Sequence, residues 1–163
     1  MKTDSTISGI CQYLTFDLGG EEFALDIASV REIIQFAQLT SVPLMPDFVR
    51  GVINLRGAVV PVIDLQRRLG RSRSMVGKKT CIIIFETQRA DKEVTLGLMV
   101  DAVSEVVDIA LTDIEPAPEF GTIIHRNFIQ GMGKVAGEFI VILNPDRAMD
   151  IEEMVSETEQ VAA

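Results

Sequence analysis

The most constraining feature of this chain is a faint internal repeat. Residues 47–64 (DFVRGVINLRGAVVPVID) lie over residues 127–144 (NFIQGMGKVAGEFIVILN) at a constant offset of 80, so that Phe48, Gly51 and Gly57 recur as Phe128, Gly131 and Gly137. Each copy reads as two apolar strands joined at a short turn. A second match, 23–34 (FALDIASVREII) over 96–107 (LGLMVDAVSEVV), has an offset of 73. The change from 73 to 80 places a seven-residue insertion between 108 and 126, near Pro116 and Pro118. A loop absorbs such an insertion cheaply, because closure entropy grows only logarithmically with length. A chain that writes one strand–turn–strand pattern twice is constrained to two similar β units.

The rest of the chain agrees. Residues 13–18 and 23–27 alternate around Gly19 and Gly20, which can supply the positive φ angles of a tight hairpin turn. Residues 30–36, 80–85 and 94–100 read as further strands, the last two joined by a polar turn at 88–92, while Pro43 and Pro46 bracket a stretch that cannot continue a ladder. Asp64 is placed to cap a short helix over 65–69, ended by Gly70, and Asn144 is its repeat equivalent. The expected fold is all-β: two units of about five strands, each closing most of its edges as a small barrel. At roughly 70 residues each unit has a thin core, so the two must share an apolar seam. The expected boundaries are 11–70, with a return segment from the C-terminal region, for the first barrel, 79–149 for the second, and 150–163 for an acidic tail that starts as a short helix and then frays.

Composition removes several function classes. A formal net charge of -9 opposes nucleic-acid binding through a broad basic face. Cys11 and Cys81 have no CxxC spacing and no histidine cluster beside them, so a metal site is not expected and both read as buried, reduced thiols. No leader-like apolar run and no membrane-length run occurs, which places the chain in the cytoplasm without direct membrane insertion. His125, the single histidine, lies in the inserted loop away from any rigid partner, no phosphate loop occurs, and Gly131, Gly133 and Gly137 miss the dinucleotide spacing by one residue. No catalytic residue and no cofactor is therefore expected.

The repeat also serves as an internal control. A purely structural role should be needed in both halves, whereas a role specific to one half should appear once. Arg56 becomes Ala136 while Gly57 is kept as Gly137, so the hairpin can be built without the arginine, and Arg56 reads as a contact residue. The bland alternative is a local ion pair with Glu32. Glu32 itself recurs as Glu105, which leaves structure and contact evenly balanced there. The basic run Arg67, Arg68, Arg71, Arg73, Lys78 and Lys79 reads as a solvated connection, with docking to an acidic partner as the alternative.

Five segments in order resemble the CheW family of bacterial chemotaxis coupling proteins: V-R-E-I-I (30–34), P-x-F-V-R-G-V-I-N-L-R-G (46–57), V-V-P-V-I-D-L (59–65), G-L-M-V-D-A-V-S-E-V (97–106) and I-E-P-A-P-E-F (114–120). The resemblance runs from about 11 to 149. It implies a pair of five-stranded, SH3-like β-barrels and no enzymatic activity. It also implies a scaffold that joins the cytoplasmic tip of chemoreceptors to the regulatory domain of a CheA-type histidine kinase, recruited to membrane-associated receptor arrays. By the same resemblance Val30, Glu32, Arg56 and Gly57 would bind receptor or kinase, and Ile82 and Val106 would form a kinase-facing apolar patch. The competing reading is an unrelated double-barrel module for oligonucleotide or oligosaccharide, which wants exposed aromatics or a basic groove.

Overall fold

Both copies of the repeat fold into the same hairpin. In the computed structural model, which describes residues 9–72, 74–89, 92–116 and 128–148, strands β4 (Val49–Leu55) and β5 (Ala58–Asp64) pair antiparallel, as do β10 (Ile129–Val135) and β11 (Glu138–Leu143). Each pair carries a bulge at the same place, between Val49 and Gly51 or between Ile129 and Gly131. Each turn has positive φ at both central residues, 51° at Arg56 and 89° at Gly57, 51° at Ala136 and 83° at Gly137. Two positive angles match the right-handed twist of a two-residue hairpin and favour glycine at the second position. Because alanine adopts the same angle as arginine, the backbone does not select for Arg56.

The other strands are β1 (Ile10–Leu18), β2 (Glu21–Asp26), β3 (Val30–Gln35), β6 (Cys81–Arg89), β7 (Lys92–Val100), β8 (Ala102–Ala110) and the two-residue β9 (Ile114–Glu115). Two short helices, α1 (Leu65–Arg68) and α2 (Pro145–Ala148), follow the repeated hairpins. One sheet has the order β8-β1-β2-β11-β10-β9 and the other β3-β6-β7-β5-β4. The all-β expectation holds, but the expected boundaries need correction. Strands β3, β4 and β5 do not join β1 and β2; they pair with β6 and β7 of the second half, while β8 to β11 pair with β1 and β2. Each half therefore lends its first hairpin to the other. The joins are two parallel pairs, β2 with β11 (Ala24 opposite Ile142) and β5 with β7 (Val62 opposite Gly97), which are repeat equivalents of each other. The sequence reading allowed for a return segment from the C-terminal region in the first barrel, without naming its strands or their partner, and did not foresee the pairing of β3 to β5 with β6 and β7.

Chain connectivity forces each sheet to roll up. Strands β8 and β9 lie at opposite ends of the six-stranded sheet, yet only the 3-10 turn Leu111–Asp113 separates them. In the five-stranded sheet Thr40, beyond β3, bridges to Val52 of the far strand with N···O distances of 3.0 and 2.9 Å. Gly51 and Gly131 make this closure possible: a Cβ at Gly51 would sit 2.7 Å from the Thr40 carbonyl oxygen, and one at Gly131 would sit 3.0 Å from that of Glu115.

Three apolar clusters follow from the alternation. Ile53, Val60, Val62, Ile82, Ile84 and Met99 fill the five-stranded barrel, and Tyr13, Ala24, Ile109, Ile140 and Ile142 fill the other. The largest cluster lies between the barrels and includes Leu14, Phe16, Phe23, Ile63, Ile83, Phe85, Leu98 and Leu143. Phe16 and Phe23 stack across β1 and β2 with ring centroids 6.1 Å apart. This is the shared seam, and its size explains why neither half would persist alone.

The start of α1 is fastened by a buried carboxylate. Asp64, with no exposed side-chain surface, accepts from the Arg67 backbone N at 3.4 Å as the helix cap, from the Ser74 N and Oγ at 2.8 and 2.9 Å, and from Arg50 Nη1 at 2.9 Å. The expected cap is therefore present, and the same group also pins the connection between the halves. At the matching positions Arg50 and Asp64 become Gln130 and Asn144. The connection is less solvated than expected: Arg67 pairs with Asp47 and Arg71 with Glu21, while the Arg68 guanidinium lies 5.3 and 4.4 Å from the ring centroids of the equivalent Phe48 and Phe128. Cys11 and Cys81 are free thiols, half-buried rather than buried. His125, Pro118, Arg73, most of the inserted loop and the acidic tail lie outside the described residues.

Candidate interaction site

Glu32 and Arg56 reach the same spot from opposite edges of the five-stranded sheet. Glu32 sits on β3, opposite Ile84 of β6, and Arg56 sits at the tip of the β4–β5 hairpin. Barrel closure brings these edges together, and the guanidinium donates to both carboxylate oxygens, from Nη2 to Oε1 and from Nη1 to Oε2. The pair is open to solvent, with 73% of the Arg56 side chain and 30% of that of Glu32 exposed. The hydrogen bond from Arg56 to Glu32, with their charge attraction, raises the arginine pKa further above its ordinary value, so the group is cationic at any relevant pH. The local pair weighed as the alternative to a contact role is thus present. It uses two of the five guanidinium N–H donors and fixes the plane of the fork, leaving three donors for a carboxylate or carbonyl from outside.

Gly57 supports this display rather than making contacts of its own. Its N donates to Asn54 Oδ1 at 2.9 Å and its φ of 89° sets the turn, while the space where a Cβ would stand is empty. Val30, opposite Phe85 at the start of β3, is half-buried against the seam. Glu105 lacks a basic partner at Ala136, and the bonding at this residue is through its backbone: Thr15 Oγ1 donates to its carbonyl oxygen at 2.9 Å and accepts from its N at 3.2 Å. The even balance at Glu32 therefore resolves into different uses of equivalent glutamates.

The expected apolar patch of Ile82 and Val106 does not exist. Ile82 is fully buried inside the five-stranded barrel, its Cγ2 packed where a Cβ on Gly97 would fall, whereas Val106 is 47% exposed on β8 of the other sheet. The alternation places Ile82 inward with Ile84, so no patch can contain it. What the sequence reading missed are the other exposed apolar residues that match Val106 across the repeat and along it. Ile33 is its repeat equivalent at an offset of 73, and Val59 and Phe139 are equivalents at 80; all three are exposed. The signal was present in the doublets Ile33-Ile34, Val59-Val60, Val106-Val107 and Phe139-Ile140, because on a strand only one member of an adjacent pair can face the interior. Phe139 is also the one clearly exposed aromatic side chain among the described residues. That is too little for a base-stacking platform. No group of three or more potential metal ligands occurs among the described residues, and no described helix is long and apolar enough to cross a membrane.

Known proteins share both the sequence pattern and this architecture. The chemotaxis protein CheW of Klebsiella aerogenes is 32% identical over 143 residues, covering 88% of this chain and 84% of that protein. The chemotaxis protein CheW of Rhizobium meliloti is 34% identical over 142 residues, covering 87% and 89%. The crystal structure of the scaffolding protein TtCheW from Thermoanaerobacter tengcongensis matches with a TM-score of 0.74 at 37% identity, covering 82% of this chain and 84% of that one. Residues 12–153 match the family model of the CheW-like domain. With two exchanged barrels, a shared seam and the N-L-R-G turn all in place, the chain belongs to the CheW-like family.

Proposed function

We propose that this chain is a non-enzymatic scaffold of bacterial chemosensory signalling, coupling the cytoplasmic tip of chemoreceptors to the regulatory domain of a CheA-type histidine kinase. The observation that carries the reading is the Arg56–Glu32 pair: an oriented, solvent-facing cation on a rigid hairpin whose second copy keeps the turn and drops the charge. Val30, Glu32, Arg56 and Gly57 form the first contact region, with Gly57 acting through the turn. Val106 lies on the other barrel, far along the topology from β3, so one body presents two surfaces. Two surfaces held by one seam can hold two partners in fixed geometry, which is what a coupling protein must do. The scaffold works in the cytoplasm and is recruited to receptor arrays through those partners.

The test is binding of the purified chain to a kinase regulatory domain and to a receptor-tip fragment, each by titration calorimetry. Arg56→Ala should weaken at least one of the two on the order of tenfold, as loss of an interface arginine anchor does, with an unchanged thermal transition. Arg56→Lys should recover little, because an ammonium cannot reproduce the fork. Absence of both interactions for the unaltered chain would sink the proposal.

A further inference from the structure

Leu44 breaks two local rules at once. It follows Pro43 in the turn that leads into β4 and holds a φ of 66°, a left-handed angle that glycine or asparagine takes readily and leucine rarely. Its side chain is 101% exposed, so no packing offsets the strain. The other two non-glycine residues with positive φ among the described residues, Arg56 and Ala136, sit in two-residue hairpin turns that demand it, and Leu44 does not. The fold has no use for leucine there, and an outlier of this kind points to a contact.

The loop shares its end of the five-stranded barrel with residues 74–80. Met99 of β7 lies opposite both Asp64, the last residue of β5, and Ile82, the second residue of β6. Residues 74–80 cross this end, from Ser74, whose N and Oγ donate to Asp64, to Thr80, whose carbonyl accepts from Phe36 N at 3.1 Å just beyond β3. The Pro46 carbonyl accepts from Val49 N at 3.0 Å and ties the Leu44 loop to the start of β4, opposite Ile63 at the end of β5. Val42, Leu44, Met75 and Val76, four of the ten large apolar side chains exposed among the described residues, therefore share one end of the barrel. Lys78 and Lys79 lie there too, exposed and with no ion pair among the described residues. Arg56 is at the other end of the seven-residue β4, about 20 Å away at about 3.3 Å per residue, so this surface is separate from the Arg56–Glu32 site.

We propose that this end of the five-stranded barrel docks an acidic protein face with an apolar pocket, Leu44 being the anchor that enters the pocket and Lys78 and Lys79 meeting the carboxylates at its rim. The chemistry of the occupant follows from the surface. A convex apolar loop needs a concavity, and two uncompensated lysines beside it select an anionic rim and reject a basic one. The inference rests on the scaffold reading, in which this chain is held between protein partners, and adds a specificity anchor to it.

The probes are the kinase regulatory domain and the receptor-tip fragment, titrated against the full chain, with Arg56→Ala measured alongside. Leu44→Asn keeps the turn and removes the apolar side chain. It should raise Tm by roughly 1–3 °C, because asparagine tolerates the left-handed angle, while weakening one of the two probes on the order of tenfold. A leucine kept for the fold alone would do the reverse, losing stability and keeping affinity. Leu44→Met should keep most of the affinity, and Lys78→Glu/Lys79→Glu should weaken the same probe, more at low salt than at high salt. Unchanged binding of both probes by Leu44→Asn, with Arg56→Ala still weakening one of them, overturns the inference and leaves the scaffold reading standing; absence of binding by the unaltered chain removes both. A lysine variant that binds as well as the unaltered chain overturns the acidic occupant. So does Leu44-dependent self-association with both probes unaffected, which would make the occupant a second copy.

Discussion

The repeat makes a quantitative prediction about the buried ion pair. Asp64 is fully buried and bound by Arg50, whose side chain is 20% exposed, and by Ser74, whereas the second half carries Asn144 and Gln130 at these positions. Asp64→Asn leaves a largely buried guanidinium facing an amide and turns one former acceptor atom into a donor against Ser74 N. Breaking a buried pair costs about 3–5 kcal/mol; partial hydration of Arg50 lowers this to roughly 2–3 kcal/mol. For a chain of this size that corresponds to a fall in Tm of about 5–10 °C. The double variant Arg50→Gln/Asp64→Asn copies the neutral pair of the second half and should cost only about 1 kcal/mol, since no charge is left unpaired. Arg50→Gln alone leaves the fully buried Asp64 carboxylate without its cation and should cost about as much as Asp64→Asn, so urea unfolding of the four proteins closes a double-mutant cycle with a coupling of at least about 2 kcal/mol. Additive losses would refute the reasoning, because the half-repeats would then not be interchangeable frames with different polar pairs.

Other consequences are as direct. Tyr13 is the only tyrosine and lies inside the six-stranded barrel, where burial, and then Cys11 and Asp26, push its pKa up to about 12. Since the unfolded phenol ionises near 10, stability present below pH 10 is lost as pH rises towards 12; ultraviolet titration should show no tyrosinate at pH 10.5 in the folded chain, and a midpoint at 10 would contradict the burial. Burial raises the Glu22 pKa above 4.5, helped by Asp17, Glu105 and Glu138. Its folded form holds a proton more tightly than its unfolded form, so it destabilises increasingly as pH rises through that window, and Glu22→Gln should stabilise at pH 7 but not at pH 4, by no more than a few tenths of a kcal/mol after screening. Ile82→Ala should cost about 2–5 kcal/mol of stability through its cavity and leave partner affinity unchanged below the transition; a selective affinity loss would return Ile82 to an interface. Gly97→Ala places a Cβ 2.8 Å from Ile82 Cγ2 and should destabilise by about 1–3 kcal/mol as overpacking, read by the urea midpoint.

Much of this architecture is legible in the sequence because the repeat reports on itself. Gly57 and Gly137, Gly51 and Gly131, and Asp64 before a short helix each satisfy a local backbone demand, and local demands leave residue-type signatures. The exchange of hairpins was not legible, because the pairings of β2 with β11 and β5 with β7 join residues far apart in sequence through apolar strands that would pair equally well with nearer ones. A further repeat also went unseen: Leu14 opposite Leu25 and Ile83 opposite Leu98 relate β1 to β6 at an offset of 69. It aligns Tyr13 with Ile82, while Ile53 aligns with Gly133 at 80, so the large ring in one barrel is offset by glycine and two isoleucines fill the other. Such compensation hides similarity residue by residue. Arg56 stands out in the sequence because it breaks the repeat, and Glu32 is named there as its possible ion-pair partner and by the resemblance; that the two meet follows from closure of the barrel, which brings the turn to β3.

The central claim is that one rigid body holds two partners at once. With the kinase regulatory domain immobilised and the receptor-tip fragment in solution, retention of the fragment should appear only when this chain is added, and should fall on the order of tenfold with Arg56→Ala. Retention that is indifferent to the chain, or an arginine variant that bridges as well as the unaltered protein, would contradict the account.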